Sequence, residues 1–308
     1  MHGDSWVTTY DVLRMIPSRK KNPWLLAARL RTLPASIAPV LVGTALAARE
    51  GHFQWLPFLA TLLAAVLLQV GANYANDVFD FLKGADKDRQ GPTRATQSGL
   101  VTPRQMLVGT AVVFGLATLI GIYLVWVGGG VILAIGLFSI VAAVAYTAGP
   151  FPLAYNGLGD VFAFLFFGVI AISGTYYLQA ARFSAWVLAA SLPTALLVMN
   201  IITVNNLRDI DTDRAAQKLT LAVRIGDRAT RTEYTISTVV AYLIPVLLAL
   251  INAQWLWVLP LLSIPVAWRL TRDLWETPRS PALNSILGRT SQLNLIFSVL
   301  FSLGFIVN

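Results

Sequence analysis

Apolar runs close to or above the roughly 20 residues that carry an α-helix across a hydrocarbon layer recur along this chain from end to end. They leave no long polar stretch for a separate water-soluble domain. Of the 308 residues 56% are hydrophobic and 12% charged, about half the charged share of soluble proteins. The solvent for most of the chain is therefore lipid, and in lipid the backbone must satisfy its own hydrogen bonds. Reading apolar runs against charged or Gly/Pro-rich breaks predicts helices near 26–48, 55–79, 104–127, 130–147, 157–180, 184–206, 233–252, 254–270 and 288–307. The expectation is an all-α, multi-pass membrane protein of about nine spans, with residues 26–308 as one intramembrane domain and Gly128-Gly129-Gly130 as a tight outer turn.

Residues 1–25 carry Arg14, Arg19, Lys20 and Lys21 without an apolar run ending at a small-residue cleavage site, so they read as a short cytoplasmic tail and not a removed signal. With the N-terminus inside, the tail and the connections on its side hold 21 of the 23 Lys and Arg residues, leaving Arg49 and Arg182 outside. That asymmetry fits the positive-inside rule. The formal charge of +8 follows this topology and forms no compact basic patch interleaved with aromatics, so no nucleic-acid partner is expected. Zero cysteines exclude disulfides, thiolate metal sites and cysteine nucleophiles. Any metal must then sit on oxygen or on His2 or His52.

Two connections on the inner side, 80–103 and 207–232, are long and polar, and each follows a span that ends in Asn and Asp. The first reads N-Y-A-N-D-V-F-D-F-L-K-G-A-D-K-D-R. Three- and four-residue steps place Asn73, Asn76 or Asp77, and Asp80 on one helical face. The second reads N-N-L-R-D-I-D-T-D-R, where Asn205 or Asn206, Asp209 and Asp213 repeat the stepping. The two clusters lie about four spans apart, which suggests a divergent internal duplication. Asp77, Asp80, Asp86, Asp88, Asp209, Asp211 and Asp213 are seven of the 15 acidic residues. Carboxylate and amide oxygens are the ligands Mg²⁺ takes while bridging to substrate phosphates, so two facing clusters can hold ions against one diphosphate.

Lys83, Arg94, Arg208 and Lys218 stand beside these acids and can meet non-bridging phosphate oxygens, the compensation a departing diphosphate needs. An allylic cation left behind needs an apolar, water-poor chamber. Tyr146, Tyr155, Tyr176 and Tyr177 could face such a cation, and Tyr146, just before a T-A-G-P break, is the one selected. Two bland readings compete. The acids and bases can pair as a solvated loop, or ionisable residues can mark an ion path, although these acids lie at span ends and not at midplane.

The two motifs resemble the aspartate-rich pair of UbiA-type intramembrane prenyltransferases, in the same order after the second and sixth spans, and the resemblance covers nearly the full chain from Asn22 onward. N-P-W-L-L-A-A-R-L-R-T-L-P, G-P-T-R-A-T-Q-S-G-L-V-T-P and Y-T-A-G-P-F-P-L-A-Y-N-G-L-G-D resemble the 1,4-dihydroxy-2-naphthoate polyprenyltransferase branch. The hydroxybenzoate branch pairs the fourth-span Tyr with a Lys four residues on; here that position is Pro150, so contacts of that lysine do not carry over.

The resemblance implies helices around a central cavity in a bacterial cell membrane. It also implies Mg²⁺, a polyprenyl diphosphate and 1,4-dihydroxy-2-naphthoate as partners, and decarboxylative prenyl transfer towards menaquinone. Asn76, Asp77, Asp80, Asp86, Asp209 and Asp213 are the implied metal ligands, with Asp80, Asp209, Asp213 and Tyr146 at the reaction centre. Asn73, Lys83, Arg94, Arg208 and Lys218 are assigned to the diphosphate, and Arg29 or Arg31 to the acceptor carboxylate. Rival readings keep the superfamily with another acceptor (homogentisate, hydroxybenzoate or a phytyl-accepting naphthoate enzyme), or leave enzymes altogether for a cation or diphosphate transporter or a noncatalytic scaffold.

Overall fold

The computed structural model describes residues 22–84 and 91–307, and among them every regular element is helical. Asn22 opens the first helix, α1 (Pro23–Ala28), by accepting the Trp24 N–H on its side chain, with Pro23 at the position where a missing N–H costs nothing. Arg29 then takes a left-handed conformation (φ 51°), and a 3₁₀ turn (Leu30–Thr32) leads into α2 (Pro34–Arg49). The predicted single helix 26–48 is thus a pair bent by 49°. Pro34 lacks the N–H that an unbroken helix would give the carbonyl of Leu30, so the bend falls beside it.

The chain continues through α3 (Trp55–Leu82) and α4 (Pro103–Ala145). Thr102 and Gln105 form a reciprocal capping box at the start of α4. At about 1.5 Å per residue, 43 residues exceed twice a hydrocarbon layer. Gly129, with φ 65° and ψ −154°, breaks the helical path near its middle, a conformation that glycine alone adopts at no steric cost. After a 3₁₀ turn (Leu153–Asn156), α5 (Gly159–Phe164) passes through a π-helical turn (Leu165–Ile170) into α6 (Ala171–Ala180).

The second half holds α7 (Ala185–Arg208), two short helices α8 (Ile210–Ala215) and α9 (Leu221–Ile225), and α10 (Asp227–Asn252). A 3₁₀ segment (Trp255–Ser263) feeds α11 (Ile264–Glu276), and α12 (Leu283–Ile306) closes the chain. Among the described residues six helices are long and apolar enough to cross a membrane, seven if the bent pair counts as one. The predicted span 254–270 is instead half 3₁₀, and the connection 207–232 is folded into α8, α9 and the first turn of α10.

α12 packs on α2 and α7, α7 on α10, α2 on α6, and α3 on α4. Lipid supplies no hydrophobic drive between helices, so close packing and buried hydrogen bonds must hold them. At Gly43 an added Cβ would lie 2.5 Å from the Ile172 carbonyl, and at Gly168 one would lie 2.1 Å from the Ala195 Cβ. Asn200 ties α7 to α10 by donating to Thr238 (2.9 Å) and accepting from Ser237 (2.5 Å), while Thr194 and Ser298 join α7 to α12. Phe297, Phe301, Phe305 and Trp257 fill the centre of this half, with Trp186 stacked on Trp257 at 4.7 Å.

Candidate active site

The halves enclose a cavity of about 470 Å³ whose polar end is lined by Asn73, Asn76, Asp80, Arg94, Asn206 and Lys218. Its walls are apolar, among them Leu124, Ile132, Leu178 and Val198, and Phe162, Phe166 and Phe167 reach it from α5 and the π turn. Phe162 and Phe166 stack at 5.4 Å. One end is thus charged and the rest is a mostly apolar chamber.

The last turns of α3 deliver the first motif. Asn73, Asn76 and Asp80, three and four residues apart, share the face that lines the chamber. Asp80 is buried; Arg94 Nη2 donates to its Oδ2 at 2.7 Å and the Tyr155 hydroxyl to its Oδ1 at 3.1 Å. Asn76 Oδ1 accepts from Thr147 Oγ1 (3.0 Å), and Asn73 Nδ2 donates to the Ala28 carbonyl (3.0 Å), tying α1 to α3. Asp77 turns the other way and does not line the chamber. Its two oxygens accept the backbone N–H groups of Ala95 (3.1 Å) and Thr96 (2.9 Å), so it holds the loop that carries Arg94. Asp86, placed among the ligands from sequence, lies outside the described residues.

The second motif sits where α7 ends. Arg208 clamps Asp209 through Nε (2.8 Å) and Nη2 (2.5 Å), and the same guanidinium reaches Asn205 (3.0 Å) and Asn284 (2.5 Å). Lys218 folds back over α8: its N–H donates to the Asp213 carbonyl at 2.8 Å, and its Nζ lies 3.6 Å from Asp213 Oδ1. Burial alone would depress the Lys218 ammonium, but the charges of Asp80, Asp213 and Asp209 outweigh it and hold the group above the ordinary lysine value. The two acidic clusters, more than a hundred residues apart in sequence, therefore act on one cation. Lys83 Nζ lies 4.5 Å and Lys218 Nζ 5.5 Å from the Tyr155 ring centroid, so this tyrosine joins both motifs. Burial lowers Lys83, with Asp80 opposing.

Among the described residues no three carboxylate or histidine side chains converge on a point that would hold a metal unaided. Among the described residues Asp80 is the one motif carboxylate that lines the chamber; Asp209 and Asp213 do not line it but lie in electrostatic reach of Lys218, which does, and the three carboxylates face Arg94, Arg208 and Lys218. Such a set fits a hard cation that arrives with a phosphorylated ligand and takes several ligands from it. The arrangement can neutralise a diphosphate at one end of a mostly apolar chamber and shelter a cationic carbon at the other.

Of the remaining candidates, Arg29 and Tyr146 line the chamber and lie in electrostatic reach of each other, whereas Arg31 is exposed and does not line it. Tyr176 and Tyr177 belong to the opposite end. Tyr176 donates to Glu50, which Arg182 also holds at 2.8 Å, and Tyr177 stacks on Phe183. Sequence reasoning missed the central position of Tyr155 and the three phenylalanines. The phenylalanines carried no distinguishing signal in an apolar run, and the π turn that aims two of them is a backbone choice.

The UbiA prenyltransferase family pattern matches residues 36–283. A 1,4-dihydroxy-2-naphthoate octaprenyltransferase of Mycobacterium tuberculosis is 44% identical over 68% of this chain and 72% of its own length. The enzyme of the same name from Escherichia coli is 37% identical over 92% of this chain and 95% of its own. Among solved structures, the apo form of a UbiA homologue from Aeropyrum pernix superposes with a TM-score of 0.67 at 17% identity, over 91% of this chain and 98% of that one. A UbiA homologue from Archaeoglobus fulgidus bound to GPP and Mg²⁺ gives 0.63 at 14% identity, over 93% of this chain and 100% of that one.

Proposed function

The chain belongs to the UbiA prenyltransferase family, and from that premise we propose that it transfers a polyprenyl group from its diphosphate to 1,4-dihydroxy-2-naphthoate, releasing carbon dioxide and diphosphate and forming a demethylmenaquinol for menaquinone synthesis. The observation that carries this reading is the joining of the two acidic motifs around Lys218 and Tyr155 at the mouth of an apolar chamber, together with relatives of that activity that align over most of the chain.

In this reading Asp80, Asp209 and Asp213, with the Asn76 amide oxygen, hold Mg²⁺. Bound there, Mg²⁺ supplies positive charge against the diphosphate as the allylic carbon–oxygen bond breaks. Arg94, Arg208 and Lys218 exchange their carboxylate partners for phosphate oxygens, so charge that develops on the leaving group meets preorganised donors. Asp77 acts through the loop it holds, keeping Arg94 over the site. Tyr146, Phe162 and Phe166 present ring faces to the allylic cation, and the apolar walls keep water from it. Arg29 pairs with the acceptor carboxylate. The ring carbon bearing that carboxylate forms the new bond, and the electrons of the broken carbon–carboxylate bond return to the ring.

The wider architecture follows the same reading: one intramembrane domain over 26–308, with nine spans when α4 is counted as two at Gly129 and the 3₁₀–α pair 255–276 as one. The motif end and the N-terminal tail face the cytoplasm of a bacterial cell, where the diphosphate substrate is met. The test is a membrane assay with labelled polyprenyl diphosphate, Mg²⁺ and either 1,4-dihydroxy-2-naphthoate or 4-hydroxybenzoate. Lipid product from the naphthoate alone supports the assignment. Product from hydroxybenzoate overturns the acceptor, and no product from either overturns the reaction.

A further inference from the structure

One buried acid plays no part in the account above. Asp160, on the first turn of α5, is 2% exposed and belongs to neither motif. Thr203 Oγ1 donates to its Oδ1 at 3.2 Å, and Asn206 Nδ2 donates to its Oδ2 at 3.1 Å. A carboxylate placed inside an apolar helix bundle is costly unless it is bonded on both oxygens and balanced by nearby cations. Here both oxygens are engaged, and the charge lies directly behind the chamber, within electrostatic reach of Tyr146.

The consequence falls on Asn206, which is 3% exposed and lines the chamber beside Lys218. An amide side chain can offer either its NH₂ or its oxygen, and a half-turn about the last bond exchanges them. An ionised carboxylate accepts and cannot donate, so Asp160 admits one orientation only, with the NH₂ towards itself. We propose that Asp160 is a positioning residue that fixes the Asn206 amide with Oδ1 facing the chamber, adding a neutral oxygen to the ligands that receive the metal–diphosphate. Thr203, whose hydroxyl is shared with the Met199 carbonyl at 3.2 Å, meets the acid from the other side. This rests on the prenyl-transfer reading of the chamber and adds to it a supporting residue behind the ligand set, of the kind that tunes metal affinity in other sites.

The test measures equilibrium binding of a non-transferable prenyl thiolodiphosphate to the purified full chain as Mg²⁺ is titrated, with no acceptor and no turnover. In the wild type, binding requires Mg²⁺; metal-independent binding, or none, means that the underlying reading of the chamber has failed. Given metal-dependent wild-type binding, Asp160→Asn should raise the half-saturating Mg²⁺ concentration at least about tenfold, because its own NH₂ competes for the partner and frees Asn206 to turn. If Asp160 acts through Asn206, the double variant Asp160→Asn, Asn206→Ala should need no more Mg²⁺ than Asn206→Ala alone, whereas two independent packing roles would add. An unchanged half-saturation in Asp160→Asn, or additive rises in the double variant, overturns the proposal. Should Asp160→Asn not yield folded protein, Asn206→Ala is read instead: the same rise supports the added oxygen ligand, and an unchanged value overturns it.

Discussion

Replacing Arg94 by Ala separates two roles that the structure gives one guanidinium. Arg94 lies 2.7 Å from Asp80, and both side chains are about 4% exposed. Removing one member of a buried pair strands the other charge and costs about 3–5 kcal/mol. Tyr155 still donates to Asp80 Oδ1, and cationic Lys83 and Lys218 act on the same carboxylate, so the lower end, about 3 kcal/mol, is expected. Arg94→Ala should therefore lower the melting temperature of the detergent-purified protein, and added Mg²⁺ should recover part of the loss by taking the place of the missing charge on Asp80. During turnover the lost contact is one charge-assisted hydrogen bond to phosphate, about 1.5–3 kcal/mol, or roughly 10- to 150-fold in the KM for prenyl diphosphate. The KM for the aromatic acid should stay near wild type. The assay is initial-rate kinetics with each substrate varied against a saturating second one. A rise confined to the aromatic acid would refute the assignment of Arg94 to the diphosphate, and an unchanged melting temperature would refute the buried-pair argument.

Asp80→Asn and Asp209→Asn should abolish turnover while leaving membrane insertion intact, since each removes a ligand charge without touching an apolar span; wild-type rates in either would remove the metal assignment. Burial tends to raise the Glu50 carboxyl, but its bonds to Arg182 and Tyr176 win and hold it below the ordinary 4.5. A depressed carboxyl contributes stability that is present above its unfolded value and lost as pH falls through the folded one. The clasp should therefore loosen only below about pH 4.5, and Glu50→Gln should flatten that limb of a melting-temperature profile; a limb unchanged in the variant would contradict this. Gly168→Ala should destabilise by about 1–3 kcal/mol through overpacking, because the new Cβ would lie 2.1 Å from the Ala195 Cβ; a melting temperature equal to wild type would show that α7 can move aside.

Much of the scaffold was legible because lipid demands helices and apolar length alone marks them. Gly129 was readable as a break, and the stepping of Asn73, Asn76 and Asp80 identified the face that lines the chamber. The choice between Asn76 and Asp77 was not readable, since both are oxygen ligands one residue apart. It is decided by the backbone N–H groups of Ala95 and Thr96, which claim Asp77 from a distant loop. Likewise Arg29 and Arg31 are equivalent in sequence, and only the left-handed turn at Arg29 and the bend before Pro34 put one on the chamber and the other outside. Tyr155 was visible as an aromatic near a span end, but its role depends on Lys83 and Lys218 arriving from two motifs. The 3₁₀ course of Trp255–Ser263 left no signature in an evenly apolar run containing Pro260.

The proposed reaction couples, in one chamber, metal-assisted loss of diphosphate to replacement of the acceptor's carboxylate by the prenyl chain. It is tested most directly with 1,4-dihydroxy-2-naphthoate labelled in the carboxyl carbon, counting labelled carbon dioxide against prenylated product in the presence of Mg²⁺ and again with EDTA. The expected result is one carbon dioxide for each product molecule and neither with EDTA. Prenylated product that retains the label, or release of label without prenyl diphosphate, would contradict it.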